Sequence, residues 1–258
     1  MRLRNAVASL ALLALAGCGD GPGEPTGELL PDLDQVAPAA LSVVEKDGRE
    51  RLVFLSSVEN VGAGPLLVSG RRESVSEPEM RATQLIRQSD GSTEPFPLHA
   101  RLRFVVSETH RHWHLLDFER YELRNEAGHT LGRDHKTGFC LGDRYDAHAS
   151  TRLPGEPARA VWTQECGRGQ TGRLRILEGL SPGFGDDYVP LLEGQYIDVT
   201  GVGPGRYLLV HRVNADRDIR EESYANDAAS VLLELERGPK GKARVSVLKT
   251  CLRSATCY

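Results

Sequence analysis

The sequence predicts a mainly β protein that folds as a single β-sandwich-like domain with long loops. Short runs rich in β-branched and aliphatic residues recur along the chain, and turn residues separate them. Glycine (27 residues) and proline (14 residues) are frequent, which is typical of many turns between short elements. No stretch shows the 3.6-residue apolar period of a long helix, and the sequence contains no internal repeat.

The N-terminus is predicted to be a signal rather than part of the fold. Arg2 and Arg4 precede an apolar run over residues 6–16, which is too short to span a bilayer as a permanent helix. The run ends in Leu-Ala-Gly-Cys, which resembles a bacterial lipoprotein signal, so we expect cleavage after residue 17 and a lipid on Cys18. A plain secretory signal is the alternative. We therefore predict an exported, membrane-anchored lipoprotein of the bacterial cell envelope.

The remaining chain divides into a tether and a domain. Residues 18–28 are rich in Gly, Pro and Glu and lack core residues, which predicts a flexible, lipid-anchored tether. Residues 29–258 are long enough for one domain with its own core. The formal net charge is −4 and no basic block is present, so the sequence does not suggest a nucleic-acid partner.

Strands are predicted in order along this domain. The run at 81–88 is also compatible with a short helix, whereas residues 228–237 and 243–251 are expected to form a closing hairpin. The segment 141–189 has weak periodicity and is predicted to be a long loop of the kind that is functional or stapled. The other predicted strands lie at 51–58, 66–70 and 102–106 and, as a strand–turn–strand unit, at 195–214.

Three histidines alternate in the run Ser-Glu-Thr-His-Arg-His-Trp-His at 107–114. Alternate residues of a strand point to one face about 6.6 Å apart, so His110, His112 and His114 can converge on one metal ion. Imidazole suits copper, zinc, iron and nickel, and three ligands leave an open position for water, oxygen or substrate. Three surface histidines on one strand are the alternative, and the spacing does not distinguish hydrolytic zinc from redox copper.

Four cysteines remain after Cys18, which is an even number in an oxidising compartment and predicts two disulfides. The sequence alone allows three pairings. The four cysteines are Cys140, Cys166, Cys251 and Cys257.

Five motifs in fixed order resemble the catalytic domain of the lysyl oxidase family. They are the histidine run at 110–114 and the segments 128–143, 179–188, 194–214 and 221–229. The resemblance extends from about Pro31 to the C-terminus and covers most of the mature chain.

The resemblance implies a copper amine oxidase that converts the ε-amino group of lysine to an aldehyde, with release of ammonia and hydrogen peroxide. Its copper ligands would be His110, His112 and His114. Its cofactor would be lysine tyrosylquinone, formed from Lys136 in His-Lys-Thr-Gly-Phe-Cys-Leu and Tyr188 after Leu-Ser-Pro-Gly. The substrates implied are protein lysine side chains or small primary amines, together with molecular oxygen. The alternative is a non-enzymatic, metal-binding β-sandwich surface lipoprotein.

The resemblance also pairs the cysteines and implies a second metal. Cys140 would join Cys166, and Cys251 would join Cys257. A calcium site carried over from some family members would use oxygen ligands, as calcium requires; a solvated acidic turn is the alternative. The calcium ligands would be Asp32, Glu221, Asn226 and Asp227.

The chain departs from the animal enzymes of this family in three respects. Thr109 stands where they have a cysteine, and Arg120 falls at or beside the position of a family histidine. An insertion around 150–162 also lengthens the segment between Lys136 and Tyr188. Whether these two residues meet therefore separates an oxidase from a binding protein.

Overall fold

The fold is given by a computed structural model that describes residues 27–107, 111–136, 138–147 and 151–257, without the side chains of Glu193 and Lys240. The predicted signal peptide, Cys18 and His110 lie outside the described residues. No helix in the described part is long and apolar enough to cross a membrane.

The described chain is mainly β, as predicted, with seventeen strands and two single-turn 3₁₀ helices at 192–194 and 239–241. The strands are β1 (Glu28–Leu29), β2 (Leu33–Gln35), β3 (Ala39–Lys46), β4 (Arg49–Asn60), β5 (Leu66–Arg71), β6 (Glu79–Gln88), β7 (Thr93–Val106), β8 (Arg111–Leu115), β9 (Glu119–Asn125), β10 (Thr130–Arg133), β11 (Tyr145–Asp146), β12 (Arg175–Leu180), β13 (Phe184–Tyr188), β14 (Tyr196–Asp198), β15 (Gly205–Val213), β16 (Ala228–Arg237) and β17 (Ala243–Cys251).

Three sheets enclose the core. The first has the order β12–β5–β6–β7–β8, with β1 on β6, and the second has the order β10–β9–β15–β16–β17. The third is built on the long strand β4, which pairs with β13 and β2 along one half and with β14 and β3 along the other. All the strand pairs that we describe are antiparallel, so each strand alternates between a face toward the core and a face away from it.

The core is aromatic at its centre. Phe54 of β4 lies edge-on against Tyr121 of β9 at 5.0 Å between ring centroids, and Phe118 meets Phe139 at 5.6 Å. All four side chains are almost fully buried. Burial of a large apolar side chain is worth about 1.5–3 kcal/mol, so this cluster joins the sheets firmly beneath the site described below.

The predicted strands at 51–58, 66–70 and 102–106 lie within β4, β5 and β7, and the closing hairpin forms as β16 and β17. The run at 81–88 is a strand, so the helix alternative is wrong; its alternating buried residues pack inside the first sheet. The prediction of a continuous loop over 141–189 is also wrong, because β11, β12 and β13 lie within it. Glycines and adjacent acids in these strands conceal the alternation that identifies a strand.

Candidate active site

Two of the three predicted metal-binding histidines lie side by side on β8. His112 and His114 are 6% and 2% exposed, and their ring centroids are 4.6 Å apart. Trp113 points to the opposite face, where it packs on the guanidinium of Arg72 at 4.7 Å. His110 lies outside the described residues, and within those residues no three His, Cys, Asp or Glu side chains are arranged to hold a metal ion.

The segment that carries Lys136 and Cys140 runs along the outer edge of β8. Leu115 and Phe139 exchange backbone hydrogen bonds of 2.8 and 2.9 Å, and the amide of Trp113 donates to the carbonyl of Cys166. Gly138, between Lys136 and Phe139, has φ +117°, and a Cβ there would lie 2.6 Å from the Leu115 carbonyl oxygen. The close approach therefore needs glycine, and it brings the lysine-bearing segment beside the histidines.

Both disulfides that the resemblance implies are present in the structure. Cys140 joins Cys166, and Cys251 joins Cys257. The first connects two segments that each hydrogen-bond to β8, so it holds them beside the histidines.

Lys136 and Tyr188 meet, in spite of the insertion between them. Lys136 Nζ lies 4.2 Å from the centroid of the Tyr188 ring and 4.8 Å from that of Phe139. The two rings are themselves edge-to-face at 5.0 Å. The ammonium group therefore lies in a corner between two aromatic rings, where the ring quadrupoles attract a cation.

The Tyr188 ring is oriented by hydrogen bonds of its hydroxyl. The hydroxyl donates to Asp186 Oδ2 at 2.7 Å and lies 3.1 Å from the carbonyl oxygen of Cys140. Burial and the neighbouring Asp186 charge raise the pKa of Tyr188 well above its usual value. The phenol is therefore held as a neutral donor.

Asp186 is a buried carboxylate that the sequence does not single out. It is fully buried, Oδ2 accepts a bond from the Gly142 amide, and Oδ1 lies 3.5 Å from Arg144 Nε. Burial raises its pKa to about 7, while Arg144 and Tyr188 oppose that rise. Its position two residues before Tyr188 on β13 puts both on one face, which is the signal that could have found it.

Glu119 is a second buried carboxylate that the sequence does not single out. It is 7% exposed, and its Oε2 accepts bonds from the hydroxyls of Tyr121 and Ser56. Oε1 has no hydrogen-bond donor among the described residues. Burial raises the pKa of Glu119 to about 7, and the positive charge of Lys136 lowers it.

Two cavities meet at Lys136. The first, of about 180 Å³, is lined by His112, His114 and Tyr188 as well as Lys136. The second, of about 470 Å³, is lined by Lys136 and Glu119. The lysine thus lies between a cavity with the histidines and one with a buried carboxylate. The remaining lining residues of the first cavity are Cys140, Arg144, Glu165, Arg168, Asp187 and Leu192.

The four predicted calcium ligands also come together, at the start of β2. Asn226 Nδ2 donates to Asp32 Oδ1 at 2.8 Å, and Glu221 accepts from the Leu33 amide at 2.7 Å. Burial raises the pKa of Glu221 to about 9 and that of Asp227 to about 7, and the neighbouring carboxylates add to both rises. We call Asp32, Glu221, Asn226 and Asp227 the acidic cluster; its residues adjoin one another but do not form a closed ligand shell.

A sequence model of the lysyl oxidase family matches residues 68–240. This match covers the histidine run, Lys136 and Tyr188.

Three relatives illustrate the similarity. The chain is 28% identical to protein-lysine 6-oxidase of Gallus gallus over 145 residues, which are 54% of the chain and 30% of that protein. It is 30% identical to lysyl oxidase homolog 1 of Homo sapiens over 142 residues, 54% of the chain and 22% of that protein. It is 26% identical to lysyl oxidase homolog 2 of Bos taurus over 140 residues, 54% of the chain and 16% of that protein. The chain thus spans less than a third of each relative.

Proposed function

The chain belongs to the lysyl oxidase family, and from that premise we propose that it is a copper-dependent amine oxidase. It would deaminate peptidyl lysine or other primary amines to aldehydes, with oxygen as the electron acceptor and with release of ammonia and hydrogen peroxide. The observation that carries this proposal is the approach of Lys136 Nζ to 4.2 Å from the Tyr188 ring centroid. This contact places side by side the two residues from which lysine tyrosylquinone would form.

The residues present fit a copper ion. His112 and His114 line one cavity with Tyr188, and their rings are close enough to share an ion. Imidazole nitrogen is a ligand that copper accepts readily. We assign His112 and His114 as ligands together with His110, which precedes them at the same alternate spacing. Copper, when bound, supplies the redox chemistry with oxygen by which the tyrosine ring is oxidised.

The residues also fit lysine tyrosylquinone, which is made from side chains of the chain itself. Lys136 Nζ already lies over the ring to which it would bond, so little conformational search separates the two groups. The joined residues supply a two-electron sink for an amine, which ordinary side chains lack.

Asp186 has two tasks in this proposal. Its bond to the Tyr188 hydroxyl fixes the orientation of the ring toward Lys136, and its carboxylate is the acceptor for the phenol proton when the ring is oxidised. The burial-raised pKa of Asp186, about 7, suits proton exchange near neutral pH. Arg144 lies against its other oxygen and supports the charged form.

The site of action that we propose is the bacterial cell envelope, with Cys18 as the lipid anchor. This rests on the basic and apolar composition of residues 2–16 and on the cysteine that follows. Two disulfides in the domain agree with an oxidising compartment. We retain calcium at the acidic cluster as a prediction.

Mass spectrometry of the copper-loaded, oxygen-exposed mature protein tests the proposal. We expect one covalent peptide containing Lys136 and Tyr188, visible absorbance of a quinone, and peroxide release with a primary amine. His112→Ala should abolish copper binding and the crosslink together. His129→Ala, which changes an exposed histidine outside the site, is the control. A wild-type protein that binds copper but forms no crosslink and releases no peroxide would refute the oxidase and favour the binding protein.

A further inference from the structure

The second cavity contains a buried carboxylate, Glu119, that has no role in the proposed crosslink. It is lined by Lys136 but not by His112 or His114, and its volume of about 470 Å³ is enough for a small organic group. Phe139 and Glu119 line it with Lys136. It therefore joins the lysine that would be consumed by crosslinking to a carboxylate that would remain.

Hydrogen bonds hold one carboxylate oxygen of Glu119, whereas the other accepts none from the described residues. Tyr121 and Ser56 both donate to Oε2, and His211 Nδ1 lies 3.1 Å from the same Ser56 hydroxyl. Because Ser56 donates to Glu119, the His211 ring donates to Ser56 in turn. Oε1 is buried and has no hydrogen-bond donor within the described ranges. A buried carboxylate oxygen without a donor is costly, unless a cation compensates for it.

The other charged groups around the second cavity already have specific partners. Asp134 accepts bonds at both oxygens from the amides of Tyr121 and Lys136. The three arginines on the wall pair elsewhere, with Arg103 on Glu79, Arg120 on Asp216 and Arg133 on Glu122. Asp117 is exposed. Glu119 is thus the buried acid of this cavity that can bind a further cation. The positive charge of Lys136 now stabilises its charged form.

Crosslinking would remove that cation. Molecular oxygen would first oxidise the Tyr188 phenol to a quinone, with one oxygen atom entering the ring and the other leaving as water. The Lys136 ammonium would release a proton, Nζ would bond to a ring carbon in place of hydrogen, and a second oxygen molecule would take up the two electrons and two protons freed by this substitution, as hydrogen peroxide. The product nitrogen is bonded to an electron-poor ring and carries no positive charge. Glu119 would then face an open cavity, beside the modified ring, without a compensating charge.

We propose that Glu119 binds the ammonium group of the amine substrate in the second cavity, beside the place of the Lys136 nitrogen. This inference rests on the proposed function, and it assigns to Glu119 the recognition of the substrate's ammonium group. Phe139, whose ring lies 4.8 Å from Lys136 Nζ, provides an aromatic wall for the same cation. The same carboxylate would thus stabilise the lysine ammonium before crosslinking and the substrate ammonium afterwards.

Binding to the metal-free protein tests this inference without the quinone. Lys136→Ala removes the lysine ammonium, and n-butylammonium reproduces a whole lysine side chain, one carbon longer than the segment that alanine lacks. We expect calorimetry at pH 8 to detect binding to K136A and not to wild type. Adding Glu119→Gln should weaken that binding about 10- to 100-fold, the loss expected for a charge-assisted hydrogen bond. The neutral probe 1-butanol should bind equally to K136A with and without Glu119→Gln.

Glu122→Gln in the K136A background is the matched control. Glu122 is buried on the same strand as Glu119 but pairs with Arg124, Arg133 and Arg212 instead of facing Lys136. Its substitution should leave n-butylammonium affinity unchanged. If K136A does not fold, Lys136→Met with the ammonium ion as the probe makes the same comparison, because methionine lacks only the terminal nitrogen position. Equal affinity with and without Glu119, or no gain on removal of the lysine ammonium, would overturn the inference.

The crosslinked enzyme provides a second readout. Glu119→Gln should raise KM for n-butylamine by a similar factor, with a smaller change in kcat and with the Lys136–Tyr188 peptide still formed. An unchanged KM would also overturn the inference. A wild type that forms no crosslink would instead refute the oxidase, whereas the binding measurements on K136A would still decide whether Glu119 receives a cation.

Discussion

This protein contains two buried groups of ionisable side chains, whose carboxylates differ in their charged neighbours. Around Tyr188, the carboxylates Asp186 and Glu119 have cations of the chain nearby, namely Arg144 and Lys136. In the acidic cluster, burial and the charges of Asp227 and Asp32 raise the pKa of Glu221, whereas Arg217 lowers the burial-raised pKa of Asp227.

The difference indicates what each group needs from outside. A buried carboxylate must be paired, hydrogen-bonded or protonated, since an isolated buried charge is too costly. In our proposal the group around Tyr188 would be compensated by the chain until Lys136 is crosslinked, and it would need a cation only afterwards. Glu221 of the acidic cluster has carboxylates as its charged neighbours, so it needs a proton or an external cation at once. We therefore expect chemistry at the first group and a structural ion at the second.

The largest effect on this contrast is expected from Tyr188→Phe, which removes one hydroxyl from the group around Tyr188. We expect complete loss of the crosslink and of amine-dependent peroxide release, with copper content retained, because the phenol oxygen is needed for ring oxidation. Unfolding should become easier by only about 1–3 kcal/mol, the cost of one lost hydrogen bond to a buried group.

Tyr145→Phe is the matched control for that variant. The Tyr145 hydroxyl also donates to a carboxylate, Glu59, at 3.0 Å, and β11 pairs directly with β13. Its loss should leave crosslinking intact. A crosslink in Tyr188→Phe, measured by mass spectrometry of the Lys136 peptide, would show that another tyrosine is the partner.

A smaller effect is expected in the pH dependence of stability through Asp186. Its folded pKa of about 7 lies above its usual value of 3.8, chiefly because of burial. The native protein therefore retains a proton that the unfolded chain releases, and the free energy of unfolding should fall as pH rises from about 4 to 7.

Asp186→Asn should remove this contribution, which is on the order of 1.4 kcal/mol per pH unit where the difference is one full proton. Urea unfolding of the metal-free protein at several pH values measures it. Asp187→Asn, the exposed neighbour on the same strand, is the control. Parallel curves for wild type and Asp186→Asn would contradict the assignment.

The smallest effect is expected from calcium at the acidic cluster. Calcium at ten times its Kd should stabilise the wild type by about 1.4 kcal/mol, seen as a rise in Tm. Glu221→Gln should abolish the rise, because it removes a buried oxygen charge from the cluster. Glu222→Gln, an exposed neighbour, should retain it. A rise that survives in Glu221→Gln would place calcium elsewhere.

The sequence alone determined much of the fold and the family of the chain. Period-two runs predicted β4, β5, β7 and the closing hairpin, because a half-buried strand must alternate its side chains. Motifs in fixed order indicated the family and pointed to His112, His114, Lys136 and Tyr188, whose proximity the structure then shows. Strands β12 and β13 escaped prediction, because both of their faces are partly polar or glycine.

Only the tertiary structure decided which side chains face one another. Tyr188 lies 52 positions beyond Lys136 along the chain, and no local pattern spans such a gap. Their contact depends on the backbone bonds between Leu115 and Phe139 and on the disulfide from Cys140 to Cys166. Glu119 could not be recognised beforehand, because what distinguishes it from the other acids is burial. The spacing of Asp186 from Tyr188 could have placed both on one face, but its burial could not be foreseen. Local sequence specifies strand and motif, whereas burial and facing partners arise when the three sheets pack.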